Sequence, residues 1–344
     1  MGLLKTFGSN PSGEYKNKIV ASVNYRQGVF HNLSPTRPLI EGVSYAKLTW
    51  RFLNKPKITA PPAPLPSLKT ELQSVAMDKP VIVWFGHSSY FIHINGKNIL
   101  IDPVLSGYAS PFSFTGKSFK GSDVYNVEDL PGIDLLILTH DHYDHMDHTT
   151  VLKLRSKTKA ICTSLGAGSH LRYWGIDGSV ITEFDWWDSK QVFDNIHLSA
   201  APARHFSGRS FTRNKTLWSS FILRSGDYNI YIGGDSGYDS HFKTIGEQSG
   251  PFDIAILETG QYGAEWPYIH MMPEEAVQAS IDLRAKVMLP VHWGKFALAM
   301  HPWDEPIKRV MAKANELNVK VTTPMIGEPI VLNESYPGKQ WWLL

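Results

Sequence analysis

The sequence predicts an α/β (α+β) fold in which β-sheets are covered by helices, and two patterns support this prediction. The first pattern is the β-hairpin. The alternating runs SYFIHI and KNILID flank the pair Asn95-Gly96, which is a strong signal for a tight turn. A second hairpin is predicted from residues 217–223 and 228–232. The second pattern is alternation, since single helical segments lie between strand candidates. Strand pairs interleaved with single helices indicate a layered arrangement of sheets and helices.

The remaining elements follow in order along the chain. The run PVIVWFG predicts a strand before the first hairpin. Short apolar runs bounded by turn residues are typical of buried strands, and they occur at residues 134–138, 159–163, 253–257 and 287–291. Helical patterns fall between them, at residues 149–157, 273–284 and 305–317.

The composition divides the chain into three parts. Residues 1–78 are rich in Asn, Pro, Ser and Lys, and we expect them to form an extension packed on the core. Residues 79–335 carry the strands and helices and are predicted to form the main folded domain. Residues 336–344 end in the apolar sequence WWLL, which we expect to dock on the body of the protein or on a partner subunit.

Charge and hydropathy exclude several classes of protein. The 34 basic and 32 acidic residues of the 344 are spread along the chain, so nucleic-acid binding is not expected as the main task. No run approaches the roughly 20 apolar residues that a membrane span needs. We expect a cytoplasmic protein. Peripheral contact with a membrane is possible, and so is a homodimer.

The most informative segment is THDHYDHMDH, residues 139–148, which directly follows a predicted buried strand. It holds four of the 14 histidines of the chain. Clustered histidines repel one another when protonated, whereas a metal ion needs neutral imidazoles and carboxylates that converge on one point. His140, His142, Asp144 and His145 are therefore candidate ligands of one or two metal ions.

One loop cannot complete a two-metal site, so further ligands are expected at other strand ends. His205, Asp235 and His292 each follow a predicted strand. A single histidine at a strand end is more often a hydrogen-bonded structural group than a ligand, but the three residues together with the loop favour a metal centre. Imidazole and carboxylate ligands suit two Zn²⁺ ions, with Fe or Mn as alternatives.

The HxHxDH loop followed by separated His, Asp and His residues resembles the metallo-β-lactamase superfamily. The resemblance implies a four-layer αββα sandwich with a two-metal site at one edge. It assigns His140, His142 and His205 to the first metal, and Asp144, His145 and His292 to the second. Asp235 would bridge both.

A narrower resemblance rests on residues outside the ligands. The stretches DWW at residues 185–187, GGDSGY, PEEAV and HWGKFALA are similar to the N-acyl phosphatidylethanolamine phospholipase D family and its bacterial relatives, over about residues 80–303. That family cleaves a phosphodiester with a hydroxide held between two metals. The chain departs from it at Ile269, where the family has Gln, and at Glu258-Thr259-Gly260, where the family has Pro-Ile-Gly.

Five further residues are candidates for the site. The resemblance implies that His270 binds phosphate or donates a proton to the leaving group, and a surface histidine beside a helix is the alternative. Tyr143 and Trp266 are candidates for substrate binding, although each could equally fill a wall of the pocket. His87 is expected to hydrogen-bond near the site, and Asp147 to orient ligand histidines.

Three functions are compatible with these residues. The first is a zinc-dependent phosphodiesterase that acts on a lipid such as N-acyl phosphatidylethanolamine. The second is a hydrolase of the same fold that attacks the carbonyl carbon of a lactone or an amide. The third is a noncatalytic metal-binding protein, which is disfavoured because all seven ligand positions are filled.

Overall fold

Two large β-sheets form the centre of the computed structural model, which describes residues 3–74 and 78–344. The strands are β1 (Tyr25–Arg26), β2 (Val29–Phe30), β3 (Val81–Trp84), β4 (Tyr90–Ile94), β5 (Lys97–Ile101), β6 (Ile133–Leu138), β7 (Thr158–Ser164), β8 (Ile181–Phe184), β9 (Ser189–Phe193), β10 (Ile196–Ala201), β11 (Ser220–Ser225), β12 (Tyr228–Ile232), β13 (Ile254–Glu258), β14 (Met288–Val291) and β15 (Pro329–Val331). The α-helices are α1 (Tyr15–Val20), α2 (Tyr45–Leu53), α3 (His148–Leu154), α4 (Gly168–Tyr173), α5 (His241–Ser249), α6 (Pro273–Asp282) and α7 (Glu305–Leu317).

The first sheet has seven strands in the order β15-β3-β4-β5-β6-β7-β8. Strands β3, β4 and β5 are antiparallel, and β5 to β8 are parallel. The predicted Asn95-Gly96 hairpin is confirmed. Both turn residues have positive φ, 48° and 69°, which Asn and Gly tolerate better than other residues.

The second sheet has six strands in the order β14-β13-β12-β11-β10-β9. Strands β12, β13 and β14 are parallel, so their carboxyl ends lie at the same edge. The second predicted hairpin is β11–β12, but β11 begins at Ser220 rather than Leu217. Leu217 and Ser219 instead donate backbone hydrogen bonds to Leu165 and Thr139, which follow strands of the first sheet.

Helices cover the outer faces of both sheets, and the predicted αββα sandwich is confirmed. Val151 and Leu154 of α3 and Leu171 of α4 belong to one apolar cluster with Phe91 and Leu136 of the first sheet. The second sheet shares a larger cluster with α5, α6 and α7, and the inner faces of both sheets belong to it. Strand residues of the first sheet alternate between these two clusters, as the two-residue period of a strand requires.

The N-terminal part is packed along the sandwich. Ile19 and Phe30 are buried against Leu165, Leu217 and Trp218. In α2, Leu48 and Phe52 pack against Trp266 and Ile269, which lie beyond β13. The predicted extension also includes residues 1–2 and 75–77, which lie outside the described residues.

The C-terminal residues lie on the same body. Trp341 and Trp342 are buried, and the Trp341 ring stacks on Trp293 with a centroid distance of 5.0 Å. Leu343 and Leu344 are exposed. Within residues 3–74 and 78–344, no helix combines the length and apolar character needed to cross a membrane.

Candidate metal centre

The predicted ligands meet at one edge of the sandwich because each follows a strand that ends there. The loop between β6 and α3 carries His140, His142, Asp144 and His145. The other three ligands lie after strands of the second sheet: His205 after β10, Asp235 after β12 and His292 after β14. Two backbone hydrogen bonds join the sheets here, from His292 N–H to His87 O and from His87 N–H to Trp293 O, both 2.9 Å.

The first group of ligand atoms surrounds His142. Its Nδ1 lies 3.0 Å from His140 Nε2 and 3.1 Å from His205 Nε2. Asp235 Oδ2 lies 3.7 Å from His140 Nε2 and 3.7 Å from His205 Nε2. All four residues offer ligand atoms within 4.8 Å of one another, as a single metal ion requires.

The second group lies on the other oxygen of the same aspartate. Asp235 Oδ1 is 3.1 Å from His145 Nε2 and 3.2 Å from His292 Nδ1. Asp144 Oδ2 is 3.6 Å from His145 Nε2. Asp235 therefore presents one oxygen to each group, which is the arrangement expected of a bridging carboxylate.

Unpartnered atoms and charge show that these residues fit a pair of cations. His145 Nε2 and Asp235 Oδ1 are buried, and neither makes a hydrogen bond. Burial would lower the pKa of His145, but the carboxylates of Asp235, Asp144 and Asp102 raise it well above the ordinary value. Burial holds the pKa values of His140 and His205 well below it. The carboxylates thus favour a positive charge at the centre, and the neutral imidazoles present nitrogen lone pairs that can bind a metal cation.

Hydrogen bonds from outside the ligand set orient the rings. His145 Nδ1–H donates to Asp102 Oδ2 at 2.7 Å, and His205 Nδ1–H donates to Ile269 O at 2.8 Å. These bonds leave Nε2 of each ring for a metal ion. Sequence reasoning did not identify Asp102, although it follows the strand KNILI in the same way that Asp235 follows its own strand.

The backbone is strained at three of these positions. His87, Asp102 and His292 have φ values of 53°, 41° and 68°, a region that side chains larger than glycine rarely adopt. Such conformations cost on the order of 1–3 kcal/mol each and cluster at functional sites. The strained backbone therefore agrees with a functional role for these residues, because the strain itself lowers stability.

His87 lies beside the second ligand group. Its Nε2–H donates to Asp144 Oδ2 at 2.9 Å, and its side chain is fully buried. Asp147 does not hydrogen-bond to a ligand histidine, contrary to the expectation from the sequence. Its carboxylate instead caps α3 and accepts hydrogen bonds from Thr149 N–H at 3.1 Å and Ser106 N–H at 3.2 Å. Asp102 takes the orienting role.

Similarity to known proteins agrees with this geometry. The family model described as the beta-lactamase superfamily domain matches residues 97–293, more than half of the 344 residues. The chain belongs to the metallo-β-lactamase superfamily.

Two relatives match most of the chain. An uncharacterized protein of Mycobacterium tuberculosis is 38% identical over 328 residues, which is 94% of this chain and 88% of that protein. The N-acyl-phosphatidylethanolamine-hydrolyzing phospholipase D 1 of Caenorhabditis elegans is 31% identical over 264 residues, 71% of this chain and 74% of that protein. The narrower resemblance predicted from the sequence is thus supported.

A solved structure supports the fold. The metallo hydrolase Igni18 of Ignicoccus hospitalis aligns with a TM-score of 0.58 at 21% identity, covering 75% of this chain and 100% of that chain. The superfamily and the two ligand groups together make this chain a metal-dependent hydrolase.

A cavity of about 350 Å³ lies at the candidate metal centre. Five predicted ligands line it: His142, Asp144, His205, Asp235 and His292. Most of the other lining residues are apolar, and they include Pro38, Leu39, Leu48 and Phe52 from the N-terminal part and Trp266 and Ile269 from the chain after β13. Sequence reasoning did not foresee that α2 would supply part of this lining.

Of the two aromatic residues predicted to bind substrate, Trp266 lines the cavity and Tyr143 does not. Trp266 lines the cavity and stacks on Phe52, with ring centroids 6.0 Å apart. Tyr143 lies outside the lining that the described residues form. Its hydroxyl donates to Arg209 O at 2.5 Å, and the Arg209 guanidinium lies 4.1 Å from its ring centroid. Contact between Tyr143 and a substrate stays a prediction.

His270 also lines the cavity and pairs with a residue that sequence reasoning did not assign to the site. Its Nδ1 lies 3.1 Å from Glu258 Oε2. Burial alone would lower the pKa of His270, but the charge and hydrogen bond of Glu258 raise it. The pairing with Glu258 therefore favours the protonated imidazole more than burial alone would, and a protonated ring can bind an anion or donate a proton.

Proposed function

We propose that the protein is a phosphodiesterase of the N-acyl phosphatidylethanolamine phospholipase D type that uses two Zn²⁺ ions. One observation carries the proposal: the same cavity is lined by residues of both ligand groups, by His270 and by many apolar side chains. A substrate with a phosphodiester head and an acyl chain matches this combination. The Caenorhabditis elegans relative supports the choice of lipid.

The ligand set decides what the metals would contribute. His140, His142 and His205 would hold the first ion, Asp144, His145 and His292 the second, and Asp235 both. Two bound cations would activate a water molecule at neutral pH and neutralise charge on the phosphate. Zn²⁺ suits these imidazole and carboxylate ligands, with Fe and Mn as alternatives.

The reaction breaks the P–O bond to the N-acylethanolamine and forms a P–O bond to a water oxygen. Ionisation of the water would release one proton to solvent, and the leaving alkoxide would gain one proton. His270 would supply the proton that the alkoxide gains, because it lines the cavity beside the ligands without belonging to the predicted ligand set. The products are phosphatidic acid and the N-acylethanolamine.

The outer surface of α2 supports peripheral contact with a membrane. Trp50 and Leu53 are 65% and 79% exposed, and Lys47 lies on the same short helix. Leu48 and Phe52 of this helix line the cavity. Apolar and basic side chains beside an opening are typical of a surface that docks on lipid.

A carbonyl hydrolase of the same fold is the second candidate. The observation that favours it is the modest cavity volume of about 350 Å³, which suits a small lactone or amide. The apolar wall favours the lipid instead.

Product analysis by mass spectrometry tests the proposal. The purified, zinc-loaded protein is incubated with N-acyl phosphatidylethanolamine in mixed micelles, and separately with a panel of lactones and N-acyl amides. Release of N-acylethanolamine and phosphatidic acid is expected. Turnover of a lactone or an amide with no lipid cleavage would favour the second candidate.

A further inference from the structure

Glu258 is a buried carboxylate at the carboxyl end of β13, the strand between those that precede Asp235 and His292. Its relative exposure is 0%. It accepts hydrogen bonds from Met271 N–H at 2.9 Å and Ser236 N–H at 3.3 Å. Its second oxygen lies 3.1 Å from His270 Nδ1. Three donors therefore converge on this side chain.

A buried carboxylate is costly to keep in a folded protein. Removing a charge from water costs several kcal/mol, and an apolar replacement of similar volume is often as stable or more stable. Two backbone donors would be enough to satisfy Glu258 Oε1. Oε2 has His270 as its partner, so this buried carboxylate joins the local backbone to a residue that lines the cavity.

The imidazole of His270 is held on several sides. Its ring lies 5.0 Å from the His205 ring and 5.3 Å from the His292 ring, measured between centroids. Its side chain is 12% exposed and lines the cavity. Because Nδ1 is bound to Glu258, Nε2 is the nitrogen left for a substrate.

We propose that Glu258 is a positioning residue that fixes the ring orientation and the Nδ1 proton of His270, so that Nε2 serves the substrate in the cavity. The proposal rests on the proposed function, because it gives His270 its task there. Glu258 acts through His270 and does not itself touch the substrate. The Nδ1 bond plays the part that buried carboxylates play for catalytic histidines in general.

A structural role for Glu258 makes different predictions. If the carboxylate serves only to join the loops that carry Ser236 and Met271, its replacement should lower stability whether or not His270 is present. If it were a metal ligand, its replacement should lower the metal content. The experiment must therefore read the state of His270, the metal content and the coupling between the two residues.

The first measurement is ¹H–¹⁵N NMR of the histidine side chains in the zinc-loaded protein. The signals of His270 are assigned by their absence in His270→Ala. In the wild-type chain Nδ1 is expected to carry a proton both in the imidazolium form, which can donate its Nε2 proton to the leaving group, and in the neutral ring. In Glu258→Gln the amide can donate to Nδ1, so the neutral ring should shift to the Nε2–H form. An unchanged Nδ1–H signal in Glu258→Gln would overturn the proposal.

The second measurement is a double-mutant cycle on kcat with the proposed lipid and with bis(p-nitrophenyl) phosphate as a soluble phosphodiester. Glu258→Gln should lower kcat for the lipid by about 10- to 100-fold, leave KM within about threefold, and retain both metals. In the His270→Ala background the same change should have less than about a twofold effect. Glu258→Asp keeps the carboxylate and should recover part of the loss.

The outcomes separate this inference from the proposed function. Multiplicative losses in the double variant, or loss of metal from Glu258→Gln, would overturn the positioning role even if the lipid is cleaved. If the lipid is not cleaved but the NMR shift occurs as expected, the proposed substrate fails and the positioning of His270 stands.

Discussion

Asp102 Oδ2 accepts a hydrogen bond of 2.7 Å from Nδ1 of His145, and the same oxygen accepts a hydrogen bond of 2.6 Å from the hydroxyl of Thr139. Both Asp102 and His145 are buried. The bond turns Nε2 of His145 towards Asp144 and Asp235. A residue at the end of β5 thus sets the direction of a ligand in the loop after β6.

Replacement of Asp102 by Asn should weaken binding at the second ligand group by about 10- to 100-fold, because the amide is a weaker acceptor and can present its NH₂ instead. Calorimetric titration of Zn²⁺ into the metal-free protein measures this. Asp147→Asn is the matched control, since Asp147 is also buried but caps α3; it should lower thermal stability with zinc affinity within about threefold. Equal losses of zinc affinity in both variants would contradict the role of Asp102.

Replacement of His270 by Ala should lower turnover of the lipid by about 100-fold or more, because the alkoxide leaving group needs a proton. Turnover of bis(p-nitrophenyl) phosphate should fall by less than about tenfold, since p-nitrophenolate leaves without protonation. Steady-state kinetics with metal analysis of each sample checks both values. Equal losses on the two substrates would assign His270 to phosphate binding, and loss of metal would place it among the ligands.

Truncation of Phe52 to Ala should lower kcat/KM for a long-chain lipid by about tenfold, because the cavity wall loses an apolar contact. A soluble phosphodiester without an acyl chain should be hydrolysed at an unchanged rate. Thr49→Ala serves as the control, since Thr49 is exposed on the same helix and does not line the cavity. Parallel losses on both substrates would show that Phe52 supports the fold rather than the acyl chain.

Acid should destabilise the protein through His241, which is buried at the start of α5 with Nε2 3.1 Å from Ser236 Oγ. Burial lowers its pKa from 6.5 to about 4. At pH values between 4 and 6.5, His241 therefore binds a proton in the unfolded chain but not in the folded chain. The free energy of unfolding should therefore fall as the pH drops from 6.5 towards 4, by up to about 3 kcal/mol from this residue.

Urea unfolding of the metal-free protein at pH 7 and pH 4.5 measures that contribution. The loss of stability should be smaller in His241→Gln than in the wild-type chain. His197→Gln, which removes an exposed histidine of β10, should show the wild-type loss. The same loss in all three chains would mean that His241 does not contribute.

Local sequence patterns predicted the elements that local chemistry determines. The Asn95-Gly96 hairpin and α7 lie where the pattern placed them, because turn residues and apolar periodicity act over a few positions. Strand β15 was not predicted: its three residues pair with β3, about 250 positions earlier, and tertiary pairing outweighs propensity in so short a strand. Strand β10 ends at Ala201 rather than next to His205, and Pro202 follows it directly.

The metal ligands of the candidate site were predicted from the sequence, but contacts that depend on the tertiary fold were not. The seven predicted ligands are brought together because each follows a strand that ends at one edge. The pairing of Glu258 with His270 could not be foreseen, since the chain between them must fold back over β13. The place of Phe52 in the cavity wall also depends on how a distant helix docks.

Hydrolysis of N-acyl phosphatidylethanolamine in H₂¹⁸O, with mass spectrometry of both products, tests the central claim most directly. The account predicts one ¹⁸O atom in the phosphate of phosphatidic acid and none in the N-acylethanolamine. The zinc-loaded Asp144→Asn chain serves as the control and should release little of either product. Label in a released fatty acid, or no turnover with two metal ions bound, would contradict attack at phosphorus.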